Sequence, residues 1–204
     1  LKNSVLLLKE KSDIFKYADE NIDRLQIESL LEEDKINDII KIKKLLNKKD
    51  AEIFEMFLLR YEIKCVKSMF RKLFSDDKTE DIIIQNVKRW TTALFYDIKG
   101  IETVQSLYEF FEAIKRMKYN KILKKYQEQD NINVFEVENE IDKLYFETLY
   151  DTVKNKGNLE KIIGSEIDLL NILWIFRIKK YYNFDSEKIQ KVLIKKQYKL
   201  NKDI

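Results

Sequence analysis

The stretch Glu166-Ile-Asp-Leu-Leu-Asn-Ile-Leu-Trp-Ile-Phe-Arg177 decides the fold class. As a helix it would be apolar on every side, the pattern of a buried helix rather than a surface one. Asp168, Asn171 and Arg177 interrupt it. A buried polar group left unpaired costs kilocalories, so each of these needs a partner or a route to the surface. Such a helix either centres a helical domain or marks a site. The following residues, Ile178 to Ile189, end it and open another helix, with Asp185 or Ser186 placed to cap it.

The rest of the chain agrees with a helical reading. Its 204 residues include no proline and only Gly100, Gly157 and Gly164 as glycines. Sandwiches and barrels need many tight turns, and those turns draw on both residue types, so an all-β fold is not expected. Leu, Ile, Lys and Glu dominate, as in helical proteins. At 45% hydrophobic and 12% aromatic, the chain has the material for a substantial core and is not disordered.

The charge is nearly balanced, 39 Lys+Arg against 36 Asp+Glu. A nucleic-acid binder more often concentrates its basic residues on one face, so no nucleic-acid partner is expected. The lone Cys65 permits no internal disulfide, which fits a reducing compartment, and it reads as a core thiol. No run reaches the roughly 20 apolar residues of a membrane span. The first residue is Leu1, and Leu1 to Leu8 lacks signal-peptide architecture, so the sequence reads as a piece or a trimmed chain.

Helical spacing recurs along the chain. It predicts one helix from Ile14 to Leu31 and another opening at Asp34 and running through Leu46. After the turn Asn47-Lys-Lys-Asp50, with Asp50 as cap, a long helix covers Ala51 to Phe74. Ser75 to Asp81 reads as a polar linker and Asp81 to Asp97 as a further helix. Thr103 would cap a helix through Met117, and Tyr119 to Tyr126 forms a short one. Phe135 to Val153 is long and amphipathic, and a short piece then leads to Gly164 and the helix quoted above. A faint repeat aligns Tyr61 to Lys67 with Ser165 to Asn171, suggesting a duplicated helical domain. The expected division is a partial module with a connecting helix over 1–97, and a full module over 98–204.

Three ordered elements are Lys118-Tyr-Asn-Lys-Ile-Leu123, Val137-Glu-Asn-Glu-Ile-Asp-Lys-Leu-Tyr-Phe-Glu147 and Glu166-Ile-Asp168-Leu-Leu-Asn171 through Arg177 to Tyr182. In this order they resemble the C, or d, subunit family of V-type ATPases and ATP synthases. Tyr198-Lys-Leu200 is similar to the short Gly-Tyr-x-Leu ending of a family module. Here Gln197 stands in place of the glycine and Lys195 in place of the usual proline. The resemblance implies an all-α fold of duplicated helical-hairpin modules, with about two of the family's three modules present.

It also implies a non-catalytic subunit of an ATP-driven proton or sodium pump. The family's subunit seats the rotating central shaft on the membrane rotor ring. Central-shaft subunits and that ring are then the partners, and the chain would be cytoplasmic and peripheral to the membrane through them. The role needs no catalytic residue, metal or cofactor.

Asp142 and Tyr145, one turn apart, join Asp168, Asn171 and Arg177 as an expected structural polar network, with Asp142 or Asp168 meeting an arginine across a helix pair. Asp76-Asp77-Lys-Thr-Glu80-Asp81 has the carboxylates of a Mg²⁺-diphosphate motif, but no second acidic motif faces it, and acids also suit a helix start. Asp130 to Asn133 lacks the glycine of a calcium loop. Without histidine, His-dependent triads and most zinc sites are excluded. Two alternatives remain beside the pump component: a free-standing helical interaction domain, and a metal-dependent all-α enzyme built on the Asp76 to Asp81 run.

Overall fold

The structure, a computed structural model, describes residues 24–75, 104–115, 118–129, 131–182, 184–196 and 198–200. The first part (14–23) of the helix expected over Ile14 to Leu31, the helix expected over Asp81 to Asp97, the Asp76 to Asp81 run, Thr103 and Gly100 lie outside them. The described residues form seven α-helices and one 3₁₀ turn, with no strand among them. The protein is all-α. Its chain divides into two compact units, Leu1–Arg116 and Met117–Ile204.

In the first unit, α1 (Arg24–Leu45) and α2 (Lys48–Lys72) form a helical hairpin. No break occurs between Leu31 and Asp34, where two separate helices were expected. The residues across that point, Leu30 to Asn37, include no proline or glycine to end a helix. The Asn47 side chain caps α2, accepting from the Asp50 N–H at 3.0 Å, so the cap lies three residues ahead of the expected Asp50. Asp50 instead supplies negative charge to the first turn, where it favours the helix dipole.

The inner face of α2 buries Ile53, Leu58, Ile63, Val66, Met69 and Phe70. Cys65 is fully buried there as a core thiol, and burial pushes its pKa up. The short α3 (Leu107–Ala113) is capped by Ser106, three residues later than the expected Thr103. Ser106 Oγ accepts from the Glu109 N–H at 3.3 Å, and the Glu109 carboxylate accepts from the Gln105 N–H at 2.7 Å. That is close to a capping box, with the return bond one residue early. Phe110 of α3 packs on Phe70 with ring centroids 5.1 Å apart.

The second unit begins with a short α4 (Asn120–Leu123), continued by a 3₁₀ turn over Lys124–Tyr126. Its body is the hairpin of α5 (Val134–Val153) and α6 (Asn158–Tyr181). Asn155 (φ 63°) and Gly157 (φ 60°) turn the chain between them. The Glu160 carboxylate fastens that turn, accepting from the Asn155 N–H at 2.9 Å and the Tyr150 hydroxyl at 3.2 Å. Helix α7 (Ser186–Val192) follows, capped by Asp185 through the Lys188 N–H at 2.8 Å.

Two expectations about α6 are corrected. It starts at Asn158 and runs through Gly164 rather than beginning after it. Nor is it buried all round: Ile163, Ile167, Trp174 and Ile178 face inward, whereas Ile162, Leu169, Leu173 and Phe176 are exposed. An apolar residue costs little at a surface, so all-round hydrophobicity does not by itself compel all-round burial.

Candidate functional site

The polar residues of α6 gather the end of the described chain. Gly164, Asp168 and Asn171 stand at i, i+4 and i+7, and so share one face of the helix. Asn171 is fully buried. Its Nδ2 donates to the Ile194 carbonyl at 3.1 Å, and its Oδ1 accepts from the Ile194 N–H at 2.9 Å. One side chain therefore satisfies both backbone groups of a buried residue that lies past the end of α7.

Asp168, also buried, accepts from three successive backbone N–H groups. They belong to Tyr198 (2.9 Å), Lys199 (2.6 Å) and Leu200 (3.2 Å). A carboxylate ringed by amides makes charge-assisted bonds, which are shorter and stronger than neutral ones. Gly164 completes the face. A Cβ added there would lie 2.7 Å from both Cβ and Cγ of Tyr198, so only glycine leaves room for this segment.

Helix α5 holds the same segment from its other side. Lys143 Nζ donates to the Lys191 carbonyl at 2.7 Å, and the Glu147 carboxylate accepts from the Lys195 N–H at 3.2 Å. Asp151 pairs with Lys196 at 2.8 Å, a bond that raises the lysine's pKa. Lys143, Glu147 and Asp151 repeat every four residues and so line one edge of α5. Residues 191–196 and 198–200 thus form a strap, laid along the hairpin and fastened by both helices.

Of the five residues expected to share a polar network, Asp168 and Asn171 come together on this strap. Asp168 is met by backbone N–H groups where an arginine was one expectation. Arg177 is exposed near the end of α6. Tyr145 is buried on α5 against the Phe146 ring at 4.9 Å, and Asp142 lies half-buried one turn before it. Gly164, Glu147 and Asp151 went unnoticed as strap contacts. The available signal was the glycine, which costs about 1 kcal/mol inside a helix and so asks for a packing reason.

A cavity of about 370 Å³ lies at the α7 end of the strap, lined by Lys125, Tyr126, Glu136, Glu140, Phe184 and Lys191 among others. Burial, then the negative charges of Glu140 and Glu136, push the Tyr126 phenol up to about 12. Glu140 is itself held by Lys125 at 3.5 Å and Lys143 at 3.6 Å. Among the described residues no three or more Cys, Asp or Glu side chains cluster as a metal site. No helix among them is long and apolar enough to cross a membrane.

The fold and the strap define a class: an all-α protein of helical hairpins whose buried polar groups hold its own backbone. The chain belongs to the ATP synthase (C/AC39) subunit family, whose model matches residues 1–204. It is similar to the C subunit of the A-type ATP synthase of Methanosarcina acetivorans, 29% identical over 145 residues, and to that of Methanosarcina mazei, 26% identical over 145 residues. In both cases the match covers 68% of this chain and 39% of the relative. The corresponding protein of Methanococcoides burtonii is 27% identical over 150 residues, covering 69% of this chain and 40% of the relative. The chain therefore spans well under half the length of these curated relatives. No solved structure matches it.

Proposed function

We propose that the chain is a non-catalytic coupling subunit of an A- or V-type ATP synthase, linking the rotating central shaft to the membrane rotor ring. The observation that carries this reading is the family match over residues 1–204. The relatives, named as C subunits of A-type ATP synthases, support it. The physical character of the second unit is compatible. A close-packed hairpin transmits strain, and its strap ties two helices into one body. Torque transfer needs no nucleophile or bound metal. In this reading Asp142, Tyr145, Asp168, Asn171 and Arg177 serve architecture, and the protein sits at the cytoplasmic face of the membrane through its partners.

Depletion and add-back test the coupling role. In vesicles carrying the source ATP synthase stripped of this protein, ATP hydrolysis by the head should persist while ATP-driven ion uptake is lost. Adding the protein back should restore uptake. Uptake that is indifferent to its presence would overturn the proposal and favour an interaction domain that shares the fold.

A further inference from the structure

The outward face of α6 carries apolar residues that the hairpin does not use. Ile162, Leu169, Leu173 and Phe176 are 62%, 59%, 45% and 70% exposed, while the opposite face of the same helix is buried. Their spacing is regular. Ile162, Leu169 and Phe176 recur every seven residues, and Leu173 falls four after Leu169. This is the a/d register by which one helix receives the knobs of another. At 100° per residue the four lie within an arc of about 60° and extend over about 21 Å of helix. So narrow a seam suits another helix better than a membrane surface, which takes a broad apolar face.

The seam's surroundings are basic. Exposed Arg177 borders one edge, exposed Lys161 and Lys179 border the other, and exposed Lys180 continues the seam one turn beyond Phe176. Of the acidic residues of α6, Glu160 is turned to the Asn155 N–H and the Tyr150 hydroxyl, which leaves half-buried Glu166, between the seam and Arg177, as one acid beside four exposed basic residues. Two copies of this chain joined seam to seam would bring cationic rims together, which is unfavourable.

We infer that this face of α6 docks an amphipathic helix of a partner protein, with an apolar seam and acidic flanks. The partner's Leu- or Ile-type residues would cover Ile162, Leu169, Leu173 and Phe176. Its Asp or Glu residues would lie against Arg177, Lys161 and Lys179. The inference holds whichever complex the chain serves.

Two labelled three-heptad peptides test it against the full chain by fluorescence anisotropy. Both carry the same leucine seam; one has glutamate flanks and the other lysine flanks. The acidic peptide should bind at least about tenfold more tightly at low salt, and the gap should narrow as salt screens the rim. Phe176→Asp should abolish binding, and Leu169→Ala should weaken it without adding charge. Tyr108→Asp, at an exposed aromatic of the other unit, should leave it unchanged. Far-UV circular dichroism checks that each variant stays helical. Equal binding of both peptides, binding of neither, or binding that survives Phe176→Asp would overturn the inference. So would a dimer in sedimentation that Phe176→Asp dissolves, or Phe176-dependent binding to anionic phospholipid vesicles with none to the acidic peptide.

Discussion

Asp168 fastens three residues of the strap through one side chain. Its carboxylate is the acceptor for three consecutive N–H groups of the strap. Hydrogen bonds to a charged group contribute roughly 1.5–3 kcal/mol each in isolation, but they are not additive. Asp168→Ala should therefore destabilise the chain by about 2–4 kcal/mol, read by chemical denaturation. Amide hydrogen exchange locates the effect: Tyr198, Lys199 and Leu200 should lose protection, while Ile194, held by Asn171, should keep most of its own. Asn171→Ala should do the reverse and cost about 1–3 kcal/mol, because it leaves a buried N–H and C=O unsatisfied.

At Gly164 even a methyl group collides with Tyr198. Gly164→Ala should cost about 1–3 kcal/mol by overpacking, despite alanine's better helix propensity. Pairing it with Tyr198→Gly, which removes both the Cβ and the ring it meets, should recover much of that loss. Additive losses in the double variant would show that the two residues are not in contact.

Among the elements, the α5–α6 turn sets how the hairpin closes. Gly157 adopts φ 60° with ψ −115°, a conformation that side chains resist. Gly157→Ala should destabilise the hairpin by about 1 kcal/mol or more, although a Cβ there would touch nothing. A thermal melt unchanged from the parent would count against that geometry.

The same elements show what the sequence disclosed. The long helices were legible because the apolar period of α2 and α5 and the Asp185 cap are local features. The joint near Leu31 was misread because a change in apolar spacing imitates a boundary when no proline or glycine enforces one. The α6 helix misled in another way, since its hydrophobicity reports both what this chain buries and what it leaves exposed. The strap was hidden because Asp168 and Asn171 bind backbone, and backbone has no sequence signature. Tyr198-Lys-Leu200 and the Asp168–Asn171 pair were each noticed, but nothing in one dimension joins residues 30 apart.

At the scale of the whole molecule, stability should depend on alkaline pH through buried phenols. Tyr126 has its pKa raised from 10.0 to about 12, so its neutral form is favoured in the folded state. That contribution is full below pH 10 and is lost as pH rises through the folded value, so stability should fall between about pH 10 and 12. Tyr126→Phe should flatten this part of the profile. An unchanged slope would mean that other groups govern it.

The larger claim concerns the company the protein keeps. The proposed coupling role and the inferred docking face of α6 share one claim, that this chain works through contacts with other proteins. The most direct measurement is affinity capture of the native, full-length protein from membranes of its source, with bound proteins identified by mass spectrometry. The account predicts that head, central-shaft and rotor-ring subunits of an ATP synthase are recovered together. A protein recovered alone, with those subunits present in the same membranes but unbound, would contradict it.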